Sequence, residues 1–328
     1  MRANAITSLP YTTKNAKAWA KETLRGFYEC PITPINDDLE LDVEGIRHNV
    51  EALIDMGADG LVIGGNIAEG WNMLPSQWNQ LHEVVADAGQ GRIPLWSIIL
   101  DPCVQVACKK IEFVQKLGYV GVEIINPVVQ LRSDNEIFEY FEYIAKRTPL
   151  AIMLYRTQVS GLLMGYDLLR RLVDLDTVVG MKQGSPIKGD TARIRRQLRD
   201  DIIVAEPNED RFLEELFDGA RLMWANFNYT LSGKKRHLMK EYYELALAGD
   251  YVGARERWKA LRPVSNFNDD LNAGNRVNNA SYAASIAWLK AWYEAIGLRG
   301  GRVLPPIHDI SDSDRKMLTD RLEQLGVV

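Results

Sequence analysis

Lys182 and Tyr155 are the two residues of this chain with the clearest chemistry. Lys182 closes Asp176-Thr-Val-Val-Gly-Met-Lys182, which reads as a short buried strand ending in a cation. A buried parallel strand tolerates an ammonium group only at its mouth or beside a neutralising partner. An earlier apolar stretch, Leu150-Ala-Ile-Met-Leu-Tyr155, reads as a strand ending in a phenol. Consecutive parallel strands of one sheet lie roughly 5 Å apart, so their last side chains meet at the same end. A desolvated lysine beside a tyrosine is the equipment for imine chemistry on a 2-oxo acid. The attacking amine must first lose its proton, and burial lowers an amine pKa from about 10.4 towards 7, roughly 4–5 kcal/mol.

The elements that position this pair alternate regularly. Strand candidates are Phe27–Ile32, Gly60–Ile63, Pro94–Leu100, Val120–Ile125, Leu150–Tyr155, Thr177–Met181, Ile202–Ala205 and Ala220–Ala225. Amphipathic helices are expected between them, over Val43–Met56, Ser76–Ala88, Val104–Leu117, Glu136–Lys146, Tyr166–Val173, Thr191–Leu198 and Asp210–Phe217, with Leu231–Leu247 after the eighth strand. Eight strand–helix units in series predict an α/β fold, a (β/α)8 barrel, whose C-terminal strand ends form the active-site face. A doubly wound open sheet is the main competitor, but the Gly-rich dinucleotide fingerprint expected after its first strand is missing. The organisation expected is an N-terminal extension over 1–25 with a helix at Ala16–Leu24, a barrel over 26–250, and a C-terminal helical region over 251–328. In that last region Tyr251–Leu261, Ala280–Ile296 and Ser313–Leu325 read as helices, and polar Asn266–Asn279 as a loop or the start of a helix.

Other constellations are read beside plainer alternatives. Gly64-Gly-Asn-Ile-Ala-Glu-Gly70 follows the second strand, and its successive amides could cradle a carboxylate; a tight turn is the plain reading. Thr33, after the first strand, either joins a proton network at the barrel mouth or caps its turn. Glu29 and Glu123 are acids inside apparent strands, and each needs a partner or a raised pKa if it faces inward. Trp71, Trp78, Trp96 and Trp224 are packing residues or an apolar wall for a substrate. The four histidines are scattered without metal spacing, and Cys103 and Cys108 lack a third ligand, so neither metal nor cofactor is expected.

A hydrophobic content of 46%, a charged content of 25% and a net charge of −5 describe a globular chain with no electrostatic call for nucleic acid or an anionic membrane. No apolar run approaches the roughly 18–20 residues of a membrane span. Met1–Asn15 lacks a signal-peptide core, and three unpatterned cysteines suit a reducing, cytoplasmic setting.

Taken in order, these residues resemble the dihydrodipicolinate synthase / N-acetylneuraminate lyase superfamily of Schiff-base (β/α)8 enzymes over roughly residues 26–326. The resemblance rests on Thr33-Pro34, on Gly65-Asn-Ile-Ala-Glu69 where the family has Gly-Thr-Thr-Gly-Glu, and on Leu74. It continues in Leu154-Tyr155 with Gly161, in Gly180-Met-Lys182 and in Leu304-Pro-Pro306. It implies that Lys182 forms an imine with C2 of a 2-oxo acid of the pyruvate type. It further implies that Tyr155 shuttles protons, that the Gly65, Asn66 and Ile67 turn holds the carboxylate, and that the chain associates as a homo-oligomer, commonly a tetramer. The apolar residues Ile286, Leu289 and Trp292 of a C-terminal helix would need cover by a second subunit or by the barrel itself.

Departures from the family pattern narrow this reading. Asn66 and Ile67 replace both threonines of the turn, and Pro127-Val-Val129 replaces Pro-Tyr-Tyr. Arg156 stands for the usual asparagine; it either meets a distal anionic group of the substrate or forms a salt bridge at the rim. These changes argue against dihydrodipicolinate synthesis itself. They favour the hydratase-aldolase branch with a hydrophobic or aromatic aldehyde partner. A dehydratase that uses the same imine, a dihydrodipicolinate synthase-like condensing enzyme, and an inactive binding or regulatory barrel are the alternatives.

Overall fold

A computed structural model describes residues 8–127, 131–273 and 283–328. Eight parallel strands form the barrel: β1 Gly26–Glu29, β2 Gly60–Ile63, β3 Leu95–Ile99, β4 Gly121–Ile125, β5 Ala151–Thr157, β6 Val178–Gly184, β7 Ile203–Ala205 and β8 Leu222–Asn226. Their order is β7-β6-β5-β4-β3-β2-β1-β8, and a parallel bridge between Glu206 and Met223 brings the two ends together. Helices alternate with the strands: α1 Ala16–Thr23, α2 Val43–Asp55, α3 Pro75–Gly89, α4 Val104–Lys116, α5 Asp134–Ala145, α6 Tyr166–Val173, α7 Lys188–Leu198 and α8 Glu209–Phe217. After β8 come α9 Asn228–Leu231, α10 Arg236–Leu247, α11 Tyr251–Asn268, α12 Ala283–Ala295 and α13 Asp312–Gln324. No helix among the described residues is long and apolar enough to cross a membrane.

The strands are buried on both faces because alternate residues serve two cores. Val122, Ile124, Ile152 and Leu154 point outward to the helices, whereas Ala151, Met153, Trp96 and Trp224 point into the barrel. Rings rather than branched aliphatics fill much of the interior. Trp224 stacks on Tyr28 with centroids 4.9 Å apart and meets Trp96 edge-on at 4.8 Å. Two glycines make room: a Cβ on Gly60 would lie 2.1 Å from the Tyr28 ring, and one on Gly121 2.2 Å from Trp96. Trp19 of α1 stacks on Trp96 at 6.5 Å, so the N-terminal helix plugs the bottom of the barrel.

Several elements differ from the sequence expectation, and β1 already ends at Glu29 rather than Ile32. Strands β5 and β6 run on to Thr157 and Gly184, so Tyr155 and Lys182 lie inside their strands rather than at the last residue. Pairing continues through Arg156–Gln183 and Thr157–Gly184 because Gly184 permits the close approach; a Cβ there would lie 2.9 Å from the Arg156 carbonyl oxygen. The expected helix Leu231–Leu247 is split into α9, a 3₁₀ turn at Gly233–Lys235 and α10. At the break Gly233 has φ +52° with the Val327 carbonyl against it, and the Lys234 N–H donates to that carbonyl at 2.9 Å. Helix α11 continues beyond Leu261 into the stretch expected as a loop, reaching Asn268, with a π turn at Asp269–Ala273. Its buried face, Leu261, Val264 and Asn268, keeps helical spacing through the polar residues.

Candidate active site

Barrel strands and the turns that follow them deliver the site to the C-terminal mouth. Lys182 and Tyr155 are register partners on β6 and β5, and the lysine Nζ lies 4.4 Å from the centre of the tyrosine ring. Both are nearly closed off, at 7% and 2% exposure. Lys182 Nζ donates to the Ala225 carbonyl at 3.2 Å. Ala225 sits at the end of β8 with φ +49°, a backbone region that costs a non-glycine residue energy and clusters at functional sites.

Glu123 also points inward. Its Oε1 lies 3.6 Å from Lys182 Nζ, and its Oε2 accepts the Trp224 indole N–H at 2.8 Å. Burial pushes its carboxyl up, while Lys182 and the indole hydrogen bond oppose that. At an effective dielectric constant of 20 the attraction across this pair is about 4–5 kcal/mol. Burying two charges costs several kcal/mol each, so the pair is held by its extra hydrogen bonds and not by Coulomb attraction alone. Glu29, the other strand acid, serves another place. Its Oε2 accepts from the Thr230 N–H at 3.1 Å and hydroxyl at 2.5 Å, tying β1 to α9, and burial pushes its carboxyl up to about 8.

The carboxylate-binding candidate turn closes on itself. The Ala68 and Gly70 amides donate to the Gly65 carbonyl, and the Glu69 amide donates to that of Asn66. Among the described residues the Asn66 and Ile67 amides donate to no backbone carbonyl, and both residues line the cleft above Lys182. Glu69, with φ +59°, anchors the turn from behind. Its carboxylate meets Lys290 Nζ of α12 at 2.6 Å and accepts the Leu304 N–H at 2.7 Å, all fully buried. Lys290 also donates to the Arg302 carbonyl.

The cleft encloses about 770 Å³, its open mouth included. Cys30, Ile67, Ile98 and Phe227 form an apolar belt near the lysine, and Thr157, Asn208, Asn226, Asn228 and Asn268, with the acids Glu209, Asp210 and Asp269, form a polar rim. Several rim amides are engaged with one another; Asn268 Nδ2 donates to Asn228 Oδ1 at 2.8 Å.

Not every residue singled out in the sequence arrives here. Arg156 points away from the cleft, since its strand neighbour Tyr155 points in. It is buried and donates to Asp190 at 2.6 Å, Gln183 at 3.0 Å and the Met164 carbonyl at 2.8 Å, so of its two readings the structure has the ion pair, buried rather than at the rim. Thr33 does not line the cleft and donates its hydroxyl to the Ala68 carbonyl at 2.9 Å, bracing the turn. Trp224 and Trp96 lie beneath the site, and Trp78 is buried in α3. Trp71 stands 47% exposed with its indole N–H on the Asn66 carbonyl. The apolar wall comes instead from Phe227, which the sequence reading missed, along with Cys30, Ile98 and the asparagine rim. Val128 and Val129 lie outside the described residues.

A parallel (β/α)8 barrel carrying a buried lysine and a tyrosine on adjacent strands at its C-terminal mouth is the architecture of the class I, lysine-imine enzymes. The chain belongs to the dihydrodipicolinate synthetase family, whose model matches residues 23–325. It is 25% identical over 288 residues to 4-hydroxy-tetrahydrodipicolinate synthase 1 of Halalkalibacterium halodurans, covering 88% of this chain and 92% of that one. It is 20% identical over 309 residues to the "Probable 5-dehydro-4-deoxyglucarate dehydratase" of Oceanobacillus iheyensis, covering 91% and 94%. A prophage protein of the dihydrodipicolinic acid synthase family from E. coli K12, solved in complex with pyruvate, superposes with a TM-score of 0.79 at 20% identity, covering 93% and 99%. The chain is therefore an enzyme of the family's class I lyase type, with the expected TIM-barrel fold.

Proposed function

We propose that the protein is a Schiff-base lyase acting on a 2-oxo acid of the pyruvate type, with Lys182 as the imine-forming residue. The observation that carries this reading is the register pairing of Lys182 with Tyr155 at the floor of the cleft, with Nζ 4.4 Å from the phenol ring. The Lys182 amine attacks C2, water leaves, and the resulting iminium draws electrons from the C3–C4 bond. Tyr155 moves protons at the carbonyl oxygen and at the C4 oxygen. The Asn66 and Ile67 amides hold the substrate carboxylate, with Gly65 allowing the close approach; a Cβ there would lie 2.5 Å from Ile98.

The belt of Cys30, Ile67, Ile98 and Phe227 supports a hydrophobic or aromatic aldehyde as the second substrate, as in a hydratase-aldolase. Burial of such a substituent gains roughly 25 cal/mol per Å². A second reading, a dehydratase of a hydroxylated 2-oxo acid, is favoured by the amide rim of Asn208, Asn226 and Asn228. The two separate in one assay, by kcat/KM for pyruvate with an aromatic aldehyde, with aspartate semialdehyde and with N-acetylmannosamine, beside dehydration of a hydroxylated 2-oxo acid. Preference for the aromatic aldehyde by about tenfold or more supports the belt; faster dehydration supports the rim. The homotetramer implied by the resemblance belongs to this proposal as well.

A further inference from the structure

Directly beneath Lys182 the barrel holds an acid that the chemistry above leaves unused. Glu123 projects inward from β4 and is fully buried. Its Oε2 is fixed by the Trp224 indole N–H at 2.8 Å, and that indole is itself wedged between Tyr28 and Trp96. Among the described residues its Oε1 has no hydrogen-bond donor within bonding distance, and it faces Lys182 Nζ at 3.6 Å. An apolar side chain would fill the same space without the cost of burying a charge. The acid is thus aimed by a rigid ring at the one nitrogen that reacts.

We propose that Glu123 is the fixed counter-ion of the cationic imine on Lys182 and the temporary holder of the proton that the amine sheds before it attacks. The inference rests on Lys182 being the imine-forming residue. The ammonium passes one proton to Glu123 Oε1, giving an amine and a carboxylic acid. The nitrogen lone pair forms the N–C2 bond while the C2–O π pair moves to oxygen. One N–H proton follows to that oxygen, giving a neutral carbinolamine. The nitrogen pair then forms the C2–N double bond as the C2–O bond breaks, and the hydroxyl leaves as water with the proton Glu123 had held. Ammonium and carbonyl have become iminium and water, and the carboxylate faces a cation at both ends.

Removing an anion beside a nitrogen cation disfavours the cation, both as ammonium and as iminium. Glu123→Gln therefore moves both limbs of the pH profile to lower pH. The other titratable groups around the pair are Tyr155 from β5 and Cys30 from β1, with Glu29 beyond Cys30, and the cleft above is also lined by Glu209 and Asp210 of α8 and by Asp269. Burial pushes the Cys30 thiol up to about 12, so it stays neutral over the working range.

The test is the rate of borohydride-trapped pyruvate adduct against pH, read by intact mass, for the unsubstituted protein and Glu123→Gln, with Lys182→Ala as blank. Both limbs should shift down by about one unit, and trapping on the alkaline side should fall about tenfold. Superimposable profiles overturn the inference. Glu123→Met, which fills the space without an unpaired amide, repeats the measurement if the glutamine variant folds poorly. A double-mutant cycle in thermal stability with Lys182→Met reads the pair without substrate, and additive changes overturn the pairing. Trapping with unshifted limbs removes this inference alone. Absence of trapping by the unsubstituted protein, with strong coupling in the cycle, removes the imine reading and the counter-ion chemistry with it.

Discussion

At the scale of the residue, Lys182 and Tyr155 differ in what their removal should read out. Lys182→Ala deletes the nucleophile and should abolish borohydride trapping with pyruvate while the circular dichroism and melting curve stay those of a folded barrel. Adduct formation that survives would move the chemistry to another lysine. Tyr155→Phe removes only a hydroxyl from a ring that is 2% exposed, so packing is kept. A proton-transfer role of this kind is worth about 10²–10⁴-fold, and kcat should fall by that much with a smaller change in KM. An unchanged kcat would leave Tyr155 as a packing residue beside the lysine.

At the scale of the element, two buried acids tie strands and turns to helices. Glu69 and Lys290 join the turn after β2 to α12, at 0% exposure each. Breaking a fully buried pair from one side costs about 3–5 kcal/mol, because the partner is left charged in an apolar setting. Lys290→Met should lose stability on that order in urea melts and raise KM for the 2-oxo acid, since the Asn66 and Ile67 amides lose their backing. Glu69→Gln added to Lys290→Met should return much of the stability; a double variant no more stable than the single would leave the pair out of the account. Glu29 joins β1 to α9 with its carboxyl held up to about 8, against 4.5 for the free side chain. The folded state therefore binds more protons than the unfolded chain between those values, and stability falls as pH climbs from about 4.5 through 8. Glu206, raised to about 7, acts in the same direction. Glu29→Gln should flatten this slope, so that its thermal midpoint drops less between acid and mildly alkaline pH; parallel curves would exclude Glu29 as the source.

At the scale of the whole molecule, the rings inside the barrel support the site from below. Trp96 links Trp19 of α1 to Trp224, which holds Glu123. Trp96→Ala should cost about 3–5 kcal/mol, and activity should fall at temperatures where the variant is still folded, because the indole above it loses its wedge. The C-terminal helices bear on association. Ile286, Leu289 and Trp292 of α12, the apolar face that would have needed cover, are 0% exposed within the single chain. The protein's own fold supplies that cover, so these residues give no support to the tetramer. Exposed apolar side chains are scattered elsewhere, Val252, Leu74 and Ile187 among them. Light scattering at micromolar concentration checks the tetramer that the family resemblance implies, and a monomer would overturn it.

What the sequence determined by itself was local and periodic. Eight apolar runs separated by amphipathic helices allow few arrangements other than a barrel, and all eight strands fall where the pattern put them, within a few residues. The lysine and tyrosine were legible because each sits in an otherwise apolar strand. The strand period also held an unused signal: with Val122 and Ile124 facing the helices, Glu123 had to face inward. The same alternation, taken from Tyr155, turned Arg156 outward to Asp190. Only the tertiary structure decided what those side chains meet, because their partners come from distant strands and loops. The Glu123–Lys182 and Glu69–Lys290 pairs, the Ala225 carbonyl on the lysine and the Phe227 wall depend on barrel closure and on the docking of α12. Contacts between residues so far apart in the chain leave no spacing in the sequence from which to read them.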